Sequence, residues 1–157
     1  MQKIFPTWDE IEVLADRLAE QLVGDYDVVL VVTRAGVFPA SFLSERLGLR
    51  NITATSVVFY TDATETLPEP QFLNFPDDEV LRDRHVLIID EVWDTGQTMA
   101  AVRRRVCQAG GHPEVAVLHY KPTHSVVDNE PDYWAAETDR WVVYPWDPNR
   151  QEMLRSS

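Results

Sequence analysis

A chain of 157 residues with 45% apolar content suits one domain with a sizeable core. Its net charge of −12 repels phosphate backbones and argues against a nucleic-acid partner. No apolar run nears the roughly 20 residues that cross a bilayer, and the N-terminus lacks a signal peptide's apolar stretch, so the expectation is a cytoplasmic protein with no membrane partner.

Thr7-Trp8-Asp9-Glu10 reads as a capping box. Ile11, Leu14, Ala15, Leu18 and Leu22 follow at helical spacing, and Gly24 supplies a stop. "YDVVLVVT", 26 to 33, is a continuous apolar run of the kind found in strands buried on both faces. Arg34-Ala35-Gly36 interrupts it, and a helix ending at Gly48 comes next. "ITATSVVFY", 52 to 60, is a second β-rich run. Residues 61–83, with Pro68, Pro70 and Pro76, read as a long loop, partly a hairpin, and loops of that length in compact domains are usually functional or disordered.

"HVLIID" is the third strand. Residues 97–111 form a helix whose Met99, Val102, Val106 and Ala109 share one face, with Arg103 to Arg105 on the solvated side. Cys107, the single cysteine, excludes an internal disulfide and reads as a small apolar filler. The four histidines show no metal-ligand spacing. "EVAVLHY" is a fourth strand, and "RWVVYPW", 140 to 146, a fifth. Strands alternating with helices predict an α/β fold: a doubly wound, mainly parallel sheet of about five strands flanked by helices. The expected layout is one domain over 1–157, with a core to about 120 and a small C-terminal cap over about 121–157.

"VLIIDEVWDTGQTM", 86 to 99, carries the most chemistry. In open parallel sheets, ligands bind beyond the C-terminal strand ends. Asp90 and Glu91 fall at such an end, where ligand hydroxyls or a hydrated Mg²⁺ suit them. The pleat turns neighbouring residues in different directions, so both acids need not face one ligand. Thr95-Gly96-Gln97-Thr98 then opens a helix whose free N–H groups favour an anion. An acid site beside a phosphate cradle fits a ribose 5-phosphate.

Val86 to Thr98 resembles the 5-phosphoribosyl-1-pyrophosphate (PRPP) motif of type I phosphoribosyltransferases: four apolar residues, two acids, two further residues, then Asp-Thr-Gly-x-Thr. The second acid is Glu91 where many members have Asp. The resemblance implies that Asp90 and Glu91 serve the ribose hydroxyls, directly or through Mg²⁺. It implies that Thr95, Gly96, Gln97 and Thr98 hold the 5-phosphate, and that Asp94 lies near the incoming base as a proton acceptor. Arg34-Ala35-Gly36 is similar to the family's pyrophosphate loop, often held in a strained or cis peptide, with Ala35 in a glycine's place; there Arg34 would grip the leaving group.

"HYKPTHSVVDNEPDYWAAETDRWVVYPWD" resembles the C-terminal part of xanthine-guanine-type enzymes. This implies that Lys121 donates to a purine 6-oxo group, that Trp141 stacks on the ring and that Val142 meets its other edge through the backbone. An ammonium donates to a 6-oxo oxygen but not to an amino group, which favours 6-oxopurines over adenine. The implied reaction joins PRPP and a 6-oxopurine into a nucleoside 5′-monophosphate with release of pyrophosphate. Residues 61–83 would be the flexible catalytic loop, with Tyr60 at its hinge, and the family's habit is a homodimer or homotetramer. Three other readings stay open: another base, a PRPP-binding regulator without turnover, and a receiver-type phospho-acceptor module.

Overall fold

The computed structural model describes residues 1–60 and 66–157, and side chains outside 60–66. A short strand β1 (Lys3–Ile4) leads into helix α1 (Trp8–Gln21). The capping box forms: Thr7 Oγ1 accepts from the Glu10 N–H at 3.2 Å, and the Thr7 N–H donates back to Glu10 Oε2 at 2.7 Å. Strand β2 (Val28–Val32) is buried along its whole length, as its apolar run requires. Helix α2 (Val37–Leu47) ends at Gly48, whose φ of +66° closes the turn.

Strand β3 (Ile52–Tyr60) pairs antiparallel with β4 (Thr66–Asn74). The hairpin part of that reading is therefore met by an edge strand of nine residues, followed by the one-turn helix α3 (Asp78–Leu81). The irregular register between β3 and β4 and the prolines of β4 suit an edge, where a ladder bond can be missing. The expected hinge role of Tyr60 and the catalytic-loop role of residues 61–65 lie outside the described residues.

Strand β5 (His85–Trp93) runs three residues further than its apolar stretch suggests, carrying Asp90 and Glu91 within the strand. Helix α4 (Gln97–Gln108) buries Met99, Ala101, Val102 and Val106. Cys107 is exposed, correcting its reading as core filler. It follows Val106 by about 100° around the helix and so turns off the buried stripe. The arginine face is also less free than expected. Arg103 pairs with Asp132 at 2.8 Å and Arg105 with Asp78 at 2.7 Å, leaving Arg104 exposed between them.

Strand β6 (His112–Tyr120) and strand β7 (Tyr133–Glu137) complete a sheet of order β4-β3-β2-β5-β6-β7, parallel except at β4. The fold class is as expected, with six strands. The fifth strand expected at 140–146 shrinks to β8 (Trp141–Val142), which pairs only with β1. Tyr133–Glu137 takes the place beside β6. All but its last residue are half-buried, and its apolar stretch is only Tyr-Trp-Ala-Ala, short and without alternation, so it carries little strand signal. A last short helix, α5 (Arg150–Arg155), follows. Two apolar cores sandwich the sheet: α1 and α2 with Leu87, Ile89 and Leu118 on one face, and α4 with Val86, Ile88 and Val117 on the other. Among the described residues, no helix is long and apolar enough to cross a membrane.

Candidate active site

The strand order reverses between β2 and β5: the chain steps from β2 to β3 in one direction and from β5 to β6 in the other. Such a switch point opens a crevice at the C-terminal strand ends. Arg34, Ala35 and Gly36 leave β2 there, beside Asp90 and Glu91 on β5. Arg34 is exposed, and the Thr33–Arg34 peptide bond is cis. Gly36 is buried against β5. A Cβ on it would lie 2.3 Å from the Val32 carbonyl oxygen, 2.9 Å from that of Ile89 and 3.2 Å from Asp90 Oδ1. Only glycine brings the Arg34 turn this close to the acid pair.

The β5–β6 register is unbroken here, and the Asp90 side chain folds back so that Oδ1 accepts from the Glu91 N–H at 2.9 Å. The Asp90 carboxyl is pushed well above the usual carboxylate range, by burial first and then by the neighbouring Glu91 carboxyl. Two carboxyls that repel each other form a hard oxygen donor set that a divalent cation relieves. With only two protein ligands, an octahedral ion keeps its other positions for ligand oxygens and water. The residues present therefore fit Mg²⁺.

Gly96, with φ of +82°, starts α4 and sets the Thr95–Thr98 turn. Its Cβ position is already filled: Trp93 Nε1 would be 2.4 Å away and Val127 Cγ2 2.6 Å away. Trp93 thus has a structural reason that its motif position does not disclose. It is fully buried, floors the turn, and its indole N–H donates to Ser125 Oγ at 3.2 Å. The first N–H groups of α4 have no helical acceptor and face the crevice end of the sheet.

Lys121 follows β6 and is 3% exposed. Its Nζ donates to Asp94 Oδ2 at 3.1 Å, and lies 5.8 Å from the centre of the Trp141 ring. Trp141 is 48% exposed, so it presents a free face rather than serving as core. The Trp141 N–H donates to the Gln2 carbonyl and the Val143 N–H to that of Ile4, both at 2.9 Å. Residues 141 and 143 therefore turn their backbone to β1, and Val142 turns its own N–H and C=O away from it.

His124 and Tyr144 carry no motif signal, and the structure brings both to the site. His124 Nδ1 lies 2.9 Å from Asp94 Oδ1. Burial raises the Asp94 carboxyl, but the Lys121 and His124 contacts outweigh it and hold the group below its ordinary range. The buried Tyr144 hydroxyl donates to the Glu91 carbonyl at 3.0 Å, so its oxygen accepts from His119 Nδ1–H at 2.8 Å. Burial, then the Lys121 charge, pushes His119 down to about 4. The Tyr144 ring stacks on Trp146 at 4.5 Å, and Trp146 on Phe38 of α2 at 4.4 Å. This aromatic column ties the C-terminal segment to the helix that begins at the Arg34 turn.

An acid pair, a glycine turn opening a helix and an exposed arginine around one switch-point crevice agree with what the chain matches. A phosphoribosyl transferase domain fits residues 2–152. The chain belongs to the phosphoribosyltransferase family. The xanthine-guanine phosphoribosyltransferase of Gluconobacter oxydans (strain 621H) is 31% identical over 148 residues, which are 90% of this chain and 82% of that protein. A purine phosphoribosyltransferase from Pyrococcus horikoshii Ot3 superposes with a TM-score of 0.79 at 34% identity, covering 94% of this chain and 95% of that one. A hypothetical protein from Neisseria gonorrhoeae with bound ppGpp gives a TM-score of 0.83 at 29% identity, covering 98% and 94%.

Proposed function

We propose that this phosphoribosyltransferase moves the 5-phosphoribosyl group of PRPP onto a 6-oxopurine (guanine, xanthine or hypoxanthine), giving the nucleoside 5′-monophosphate and pyrophosphate in purine salvage. The observation that carries the choice of base is Lys121: a buried ammonium held by Asp94, with an exposed Trp141 ring beside it. Such a group donates to a 6-oxo oxygen and has no acceptor to offer an adenine amino group. The similarity to xanthine-guanine and purine phosphoribosyltransferases supports the same choice.

In this reading Thr95, Gly96, Gln97 and Thr98 hold the 5-phosphate through hydroxyls and helix N–H groups. Asp90 and Glu91 serve the ribose hydroxyls and would hold Mg²⁺, which when bound supplies positive charge against the pyrophosphate oxygens. Arg34, with Ala35 and Gly36, grips the pyrophosphate. The purine lies between Trp141 and the backbone of Val142, with its 6-oxo oxygen on Lys121. A ring nitrogen of the base forms a bond to C1 of the ribose. The C1–O bond to pyrophosphate breaks, and the leaving group takes the electron pair. The ring N–H proton passes to a carboxylate oxygen of Asp94, which the Lys121 and His124 contacts keep ionised. Residues from about 121 to 157 act as the base-recognition cap of a single 1–157 domain. The enzyme works as a cytoplasmic homodimer or homotetramer, which sedimentation velocity tests.

The deciding experiment is turnover with PRPP and Mg²⁺ against guanine, xanthine, hypoxanthine, adenine and uracil. Product with the three 6-oxopurines is expected. Product with uracil or adenine instead would overturn the choice of base, and none with any base would favour a PRPP-binding regulator.

A further inference from the structure

We propose that His124 is a positioning residue for Asp94, and that residues 124–127 form a strap locking the proton acceptor to the phosphate turn. The inference rests on the reading of Asp94 as the group that faces the base. Four consecutive residues each meet a different part of the 93–96 segment. His124 Nδ1 is 2.9 Å from Asp94 Oδ1. Ser125 Oγ accepts from the Trp93 indole N–H at 3.2 Å. The Val126 N–H donates to the Thr95 carbonyl at 2.9 Å. A Val127 methyl stands 2.6 Å from where a Cβ on Gly96 would be. The strap begins at Lys121, since the His124 N–H donates to the Lys121 carbonyl at 3.1 Å.

This arrangement gives His124 a task that Lys121 cannot perform alone. The Asp94 side chain is 43% exposed, so packing does not fix its plane. An ammonium is a point charge with three rotatable donors, and a carboxylate can swivel against it. A second donor on the other oxygen removes that freedom. Lys121 takes Oδ2 and His124 takes Oδ1, so the carboxylate is gripped at both oxygens. An ionised carboxylate offers about four lone-pair sites, and two stay free for a ring N–H of the base. Lys121 and His124 are the charged or titratable groups in contact with it among the described residues. Both contacts also keep the group ionised. The strap thus holds the acceptor for the base at a constant offset from the 5-phosphate turn, the spacing that an in-line attack on C1 needs.

The test compares His124→Ala with His124→Asn, whose amide nitrogen can stand where Nδ1 stands. Wild-type turnover is measured first; its absence would sink the functional proposal, so the dissociation constant of free hypoxanthine, which still carries the ring N–H, is measured for all proteins in parallel and tests the strap by itself. His124→Ala is expected to lower kcat/KM for the purine and weaken hypoxanthine binding, each by roughly tenfold or more, the worth of one charge-assisted hydrogen bond. The KM for PRPP should move less than about twofold, and His124→Asn should recover most of the loss. If the alanine variant does not fold, His124→Leu, which keeps bulk without a donor, carries the same expectations. The proposal fails if the donor-free variant changes both purine readouts less than twofold. It fails if PRPP suffers as much as the purine, which is what a merely structural strap would do. It fails too if His124→Asn is as poor as the donor-free variant.

Discussion

Lys121→Met removes the ammonium and keeps the length of the side chain. The wild-type Nζ sits 3.1 Å from Asp94 Oδ2 on a side chain only 4% exposed, whereas Asp94 is 43% exposed. The two partners therefore respond differently. The Asp94 carboxylate left behind can rehydrate, so the stability cost stays well below the roughly 3–5 kcal/mol of breaking a fully buried pair. About 1 kcal/mol is expected, or roughly 2–4 °C in Tm for a chain of this size. Binding of the base loses a charged donor in a dry position, worth about 1.5–3 kcal/mol. At about 1.4 kcal/mol per decade, kcat/KM for guanine should fall roughly 10- to 150-fold. The KM for PRPP should stay within about twofold, because the phosphate and ribose groups sit on other residues. Discrimination against adenine should narrow, since the donor that opposes its amino group is gone. Initial rates with each base at saturating PRPP, and with PRPP varied at saturating guanine, measure all three. An equal loss for PRPP and guanine would show that Lys121 supports the site without reading the base.

Gly96→Ala adds a Cβ 2.4 Å from the buried Trp93 indole at a φ of +82°. Overpacking and the left-handed backbone together cost about 2–5 kcal/mol, so Tm should fall by roughly 5–15 °C; a shift within 2 °C would mean that Trp93 yields freely. Asp90→Asn should abolish efficient use of PRPP while leaving the ligand-free protein as stable as wild type or more so. A carboxyl whose folded pKa is raised resists ionisation in the fold, and the amide removes that cost; a large drop in Tm, or unchanged kinetics, would contradict the assignment. His119 titrates in the opposite sense. Its folded value is lowered from 6.5 to about 4, so the unfolded chain takes up the proton first and stability is lost as pH falls from about 6.5 towards 4. The loss is on the order of 3 kcal/mol. Urea midpoints at pH 7 and pH 4.5 should show a steeper decline for wild type than for His119→Gln, and parallel declines would refute it.

The local rules served well wherever one element answers to its own residues. The Thr7–Glu10 box, the buried run of β2, the Gly48 stop and the strand-to-helix joint of residues 90 to 98 were all legible in the chain. Each depends on contacts within a few residues, or on burial that apolar spacing already encodes. The edge strand β4 was legible only as part of a hairpin without bounds, and the sheet strand β7 was not legible, because prolines, alanines and half-buried positions blur the period of two on which strand reading relies.

The linear order of residues 86 to 99 determined that an acid pair precedes a glycine turn opening a helix, since both lie on one strand–helix joint. It could not determine how the acids face, because the fold of the Asp90 side chain back onto the Glu91 N–H is a side-chain conformation that spacing does not encode. Nor could it assign Trp93 a task, which exists only because Ser125 and Val127 come to meet it and the neighbouring Gly96. Tertiary structure alone decided that the Asp94 carboxylate answers to residues 27 and 30 positions downstream, Lys121 and His124. Interactions between distant segments depend on where the sheet returns the chain, and residue spacing carries no record of that.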